Sequence, residues 1–183
     1  LIRMQFRDPG LRFTTEFSDD IAKGDWTIKG EYRVYDDEDG LPSIHITFCY
    51  PKNERCCSID KHNWDNISFQ IADIVTHEYL HQYYCRQRDY RYGRGYRQKG
   101  LGNYRESMQD YLGCEDEILA HAFNVASESV VYRTPLEKTK TYRLYRRHFR
   151  KDKSIVLKLH KQAVKYIKQL EQLNDQASRR ISN

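Results

Sequence analysis

The chain has 183 residues and a mass of 22.0 kDa, enough for one ordinary domain with a real core. Hydrophobic residues make up 39% of it and charged residues 31%, and its 15 Tyr and seven Phe exclude disorder throughout, because disordered chains are poor in aromatics. The net charge of +5 hides an asymmetry: residues 133–168 carry 13 basic side chains against Glu137 and Asp152, and residues 86–105 carry seven against Asp89.

That leaves the rest of the chain net acidic. Such a field can steer an anionic partner, although a merely solvated helix face has the same composition. No apolar run approaches the roughly 18 residues of a membrane helix, so an integral membrane protein is not expected. No basic segment followed by an apolar stretch and a small-residue cleavage site reads as a signal peptide. The five cysteines (Cys49, Cys56, Cys57, Cys85, Cys114) are odd in number and irregular in spacing. Reduced thiols and an intracellular, cytoplasmic setting are expected. Cys56, Cys57 and His62 lack the paired CxxC knuckles of a structural zinc site, so packing is the expectation there.

The first fifty residues read as strands at Arg3–Phe6, Leu11–Phe17, Trp26–Tyr35 and Ser43–Tyr50, separated by turn-forming clusters rich in Asp, Pro, Ser and Gly. Alternation over Ser43–Phe48 places Ile44, Ile46 and Phe48 on one face. The acidic run before Gly40 lacks the ligand spacing of an EF-hand and reads as a hairpin turn. From Asp65 the period changes. Ile67, Ile71, Ile74, Val75 and Leu80 recur at helical spacing to about Tyr84, with Asp65 or Asn66 as N-cap. Arg86–Tyr104, rich in Arg, Tyr and Gly, shows no period and reads as a long loop. A second helix spans Ser107–Val130, broken near Gly113. A third runs over Lys153–Ala177, where Val156, Leu159, Ala163, Tyr166, Leu170, Leu173 and Ala177 follow a seven-residue repeat.

The expected architecture is α+β, a single domain over residues 1–183. A small antiparallel or mixed N-terminal sheet (1–50) packs on two helices (65–130), and a basic helical tail (131–183) ends in a long helix.

The first helix contains Thr76-His77-Glu78-Tyr79-Leu80-His81. Two His one turn apart reach one zinc ion, and the Glu beside the first accepts a proton from water and returns it to a leaving amine. Composition alone gives this pattern in only about 0.02 of such chains. A third ligand must come from farther on. In the second helix Glu117, His121, Asn124 and Glu128 form a polar stripe, and Ala120 and Ala122 allow close helix approach.

An HExxH helix followed by a Glu-bearing helix resembles the gluzincin zinc metallopeptidases, and Glu117-x-x-Ala120-x-x-Phe123 is similar to a segment of the ImmA/IrrE family. The resemblance implies zinc held by His77, His81 and Glu117, with Glu78 as catalytic base. It also implies a strand edge that receives an extended protein or peptide substrate, for which Ser43–Cys49 is the candidate. Asn124 stands where that family usually has Ala. The residues by themselves also allow His121 as third ligand with Glu117 orienting it. His121, Tyr111 and Tyr104 are candidate oxyanion donors.

The leading expectation is a zinc-dependent metallopeptidase. The alternative is a nucleic-acid-binding protein with a structural or vestigial zinc site. It would use the Arg/Tyr/Gly loop and the cations Arg143, Arg146, Arg147, Arg150, Lys151 and Lys153.

Overall fold

The structure, a computed structural model, describes residues 10–34, 42–52, 64–91 and 104–181, the side chains of 104–107 and 177–181 excepted. The expected strand at Arg3–Phe6, the acidic turn before Gly40, the Cys56, Cys57 and His62 group and most of the Arg/Tyr/Gly loop lie outside the described residues. The fold is α+β, with three strands and five α-helices among the described residues and the longest helix last. The chain divides into two compact units, residues 1–90 and 91–183.

The first unit holds a mixed sheet of β1 (Leu11–Ser18), β2 (Thr27–Arg33) and β3 (Ser43–Pro51) in the order β1-β3-β2. β1 runs parallel to β3 with Leu11 opposite Ile44, and β2 runs antiparallel to it with Ile28 opposite Phe48. Because strand side chains alternate, Ile44, Ile46 and Phe48 share a face with Ile28, Gly30 and Tyr32 of β2. Helix α1 (Trp64–Gln87) covers that face with Ile67, Ile71, Ile74 and Val75. The opposite face carries polar pairs, including Thr14 with Thr47 and Lys29 with Glu16.

Two expectations are corrected here. β3 is not the edge strand: β1 pairs with it on one side and β2 on the other. Neither Asp65 nor Asn66 is the N-cap, because α1 already begins at Trp64 and both residues lie in its first turn. The helix also outruns its expected end. It stops at Gln87, where Asp89 and Tyr90 turn left-handed (φ 49° and 61°) and the Tyr90 N–H donates to the Cys85 carbonyl.

The second unit is helical: α2 (Tyr104–Gly113), α3 (Glu115–Val131), a 3-10 turn at Leu136–Lys138, α4 (Lys140–His148) and α5 (Lys153–Ile181). The expected break near Gly113 is present, with the extended residue Cys114 between α2 and α3. α3 packs on α5, where Ala122, Ala126 and Ala163, all fully buried, let the helices approach around Val125, Leu159 and Tyr166. Leu159, Ala163 and Tyr166 of the expected seam are buried, but Leu173 is 61% exposed. The repeat continues there beyond the surface that would cover it. Helix α4 went unmarked within the expected helical tail, although Tyr142, Tyr145 and Phe149 stand at helical spacing and all enter the core. Buried Thr139 caps it, donating its hydroxyl to the Leu136 carbonyl and accepting from the Tyr142 N–H.

Candidate metal centre

Along α1 the inner stripe begins apolar, with Ile67, Ile71 and Val75, and ends polar, with Glu78, Gln82 and then Cys85. At 100° per residue Glu78 falls in the middle of this stripe, and His77 and His81 fall together at one margin. His77 and Glu78 are each 8% exposed. The two imidazoles meet edge to face, with Nε2 3.0 Å from Nε2. Ligands about 2.0–2.1 Å from a tetrahedral zinc stand roughly 3.3 Å apart, so this pair is spaced as two ligands of one ion would be.

Glu78 is positioned by a residue that carries no side chain. A Cβ built on Gly30 of β2 would strike Ile74 and lie 2.8 Å from Glu78 Oε1 and 2.9 Å from its Cγ. Only glycine lets α1 lie this close to the strand. A glycine inside a strand pattern is a signal of close backbone approach, so Gly30 was legible but not singled out by the sequence reading.

Helix α3 presents the other candidates. Glu117 is 6% exposed and Asn124 5%. His121 Nε2 lies 3.4 Å from Glu117 Oε2, and its ring packs edge to face on the fully buried Tyr145. The Tyr145 hydroxyl donates to the Leu112 carbonyl at 2.9 Å. Burial, and then the nearby Glu117 and Cys114, raise the Tyr145 phenol well above its ordinary range, so it stays a neutral donor. Burial likewise pushes the Cys114 thiol up to about 11. A cysteine at a helix N-terminus is ordinarily acidified; here desolvation wins, and Cys114 is an inert thiol. Tyr145 is not among the sequence candidates, because the helical spacing of Tyr142, Tyr145 and Phe149 is not read there as a separate element.

The polar stripe predicted on α3 divides in function. Glu128 accepts the Lys140 N–H with both carboxylate oxygens at 3.0 Å and so closes the start of α4. Tyr111 is half-buried against the helical core. The side chain of Tyr104 lies outside the described residues.

In the first unit His77 and His81 offer one imidazole nitrogen each, and in the second unit Glu117 offers a buried carboxylate oxygen. Two imidazoles and a carboxylate are residue types that ligate divalent metal ions. These residues can hold a metal ion.

Compared with known protein families, curated proteins and solved structures, the chain matches none. What the site can do therefore rests on its own residues.

Gln82 is the residue that no sequence signal marked. It is 1% exposed, and neither its amide nitrogen nor its carbonyl oxygen has a hydrogen-bond partner among the described residues. A solvent-facing glutamine would be unremarkable in a helix, but this one falls on the buried stripe of α1 with Val75 and Glu78.

Proposed function

We propose that the chain is a zinc-dependent metallopeptidase in which His77, His81 and Glu117 hold the ion and Glu78 is the general base. The observation that carries this reading is the pair of His77 and His81 imidazoles one turn apart on α1, Nε2 3.0 Å from Nε2, with an HExxH glutamate one residue from the first of them. A zinc ion held there would supply Lewis acidity toward a carbonyl and lower the pKa of water. The chain's own part is proton transfer and orientation. The Glu78 carboxylate takes the proton of the attacking water and delivers it to the departing amine nitrogen. Its burial and the contact with Gly30 restrict the directions in which it can swing. His121, 3.4 Å from Glu117, orients that carboxylate.

The substrate in this reading is an extended protein segment that adds a strand to the sheet. With β3 central, the edge that suits it is β2, which among the described residues pairs on one side only and passes beneath Glu78 at Gly30.

The test is zinc content by elemental analysis alongside hydrolysis of an unfolded protein such as casein. About one zinc per chain is expected, with Glu78→Gln retaining it while activity falls by roughly 10²–10⁴, and Glu117→Ala losing it. Zinc lost in His121→Ala but kept in Glu117→Ala would transfer the third ligand to His121. No zinc uptake by the parent chain would overturn the reading.

A further inference from the structure

Helix α4 has an inward face made by Tyr142, Tyr145 and Phe149 after it. Beside that face stand Arg143, Arg146, Arg147 and Arg150, spaced i, i+3, i+4 and i+7 and all exposed. Helix α5, which packs on α4, repeats the arrangement. Leu159, Ala163 and Tyr166 point inward, and Lys161, Lys165 and Lys168 are exposed at i, i+4 and i+7 on the opposite face. None of these seven cations is in an ion pair among the described residues.

Local stability does not account for this pattern. Cations in the last turn of a helix are favoured by its dipole, which covers Arg146 and Arg147. It does not cover Arg143, nor Lys161, Lys165 and Lys168 in the middle of α5. Like charges four residues apart, as in Arg143 with Arg147 and Lys161 with Lys165, destabilise a helix. A surface that only needed solubility would mix the two signs.

We infer that the α4–α5 face is a docking surface for the phosphate backbone of a nucleic acid, bound without regard to sequence. The guanidinium fork grips phosphate through paired hydrogen bonds. Arg143, Arg146 and Arg147 span about 6 Å of helix and Arg150 follows just past its C-cap, a stretch over which a duplex offers several phosphates. A membrane fits less well. The apolar face that α4 would insert is already spent on the core, and Leu157 is the only large apolar residue strongly exposed along residues 138–168. This inference does not depend on the proposed peptidase activity.

The experiment is fluorescence anisotropy of the full chain with two labelled 25-base-pair DNA duplexes of unrelated sequence, titrated between 50 and 200 mM NaCl. Equal affinity for both duplexes is expected, weakening roughly 10²-fold across that range if about four phosphates are neutralised. Arg143→Glu with Arg147→Glu should weaken binding at least tenfold and lower the salt slope by about two. Lys23→Glu with Lys52→Glu, the same charge change on the other unit, should have a much smaller effect. Circular dichroism confirms that the variants fold, and if the arginine pair does not, Lys161→Glu with Lys165→Glu takes its place. Absence of binding at 50 mM salt, equal losses in both charge-reversal pairs, or capture by phosphatidylserine vesicles without binding to duplex would each overturn the inference.

Discussion

Helix α5 buries Leu159, Ala163 and Tyr166 and leaves its lysines in water, whereas α1 takes His77, Glu78 and Gln82 out of water along with Ile67, Ile71 and Val75. In α5 the sequence pattern and the burial agree, and every buried group contributes to stability. In α1 the second half of the inner stripe is polar, and its Gln82, whose amide has no hydrogen-bond partner among the described residues, opposes folding, since a buried polar group without compensation costs on the order of 1–3 kcal/mol. A helix assembled only to hold a sheet in place would continue as it began, with aliphatic residues. The contrast separates a helix selected for packing from one that gives up packing energy to keep chemical groups in fixed positions.

The sharpest way to break that comparison is to make one substitution in each unit. In Gly30→Ala the new methyl group meets Ile74 and Glu78 closer than side chains tolerate. Urea denaturation should show a loss of about 1–3 kcal/mol, the usual cost of overpacking. In Gly113→Ala the methyl group only touches the Phe149 ring, at 3.7 Å. Stability there should hold or rise by about 0.4–1 kcal/mol, because the unfolded chain loses freedom. Equal losses at both positions would mean that the close approach of α1 to β2 imposes no special demand.

What the sequence revealed follows the same division. The boundaries of β1, β2 and β3 were legible because Ile44, Ile46 and Phe48 alternate and turn residues flank each strand. The central place of β3 was not, since its parallel partner β1 lies more than thirty positions away and local pattern says nothing of long-range pairing. The meeting of His77 and His81 was legible because a four-residue spacing on a helix fixes which side chains meet. The contact of Gly30 with Glu78, the burial of Gln82 and the packing of Tyr145 on His121 depend on tertiary packing. Leu173 erred in the other direction, a residue in perfect register that is 61% exposed among the described residues.

Gln82→Met sharpens the comparison further by converting the end of the α1 stripe to the α5 kind. Methionine nearly matches glutamine in volume and removes two buried polar atoms that have no partners among the described residues. Thermal unfolding should move upward, by an amount equivalent to about 1 kcal/mol. A lower melting temperature would mean that the amide is satisfied in solution, by a buried water for example, and that α1 gives up less than its stripe implies.

The smallest effect expected is at the start of α5, where stability and charge act together as they do not in α1. Asp152 stands immediately before the helix, and its Oδ1 accepts the Ser154 N–H at 2.9 Å and the Ser154 hydroxyl at 2.6 Å. These hydrogen bonds, the hydroxyl first, hold its carboxyl below the ordinary value of 3.8, with a lesser contribution from Lys158. A depressed carboxyl stabilises the folded state fully above its unfolded pKa, and the contribution disappears as pH falls through the folded one. Asp152→Asn keeps a capping oxygen but cannot titrate. Its melting temperature should therefore lie slightly below that of the parent at neutral pH, and the gap should close as pH drops below about 4. Because Asp152 is fully exposed, salt should shrink the gap as well. A gap that persists unchanged at low pH would show that the cap works through hydrogen-bond geometry alone. The cationic field of α5 would then leave its own N-terminus untouched.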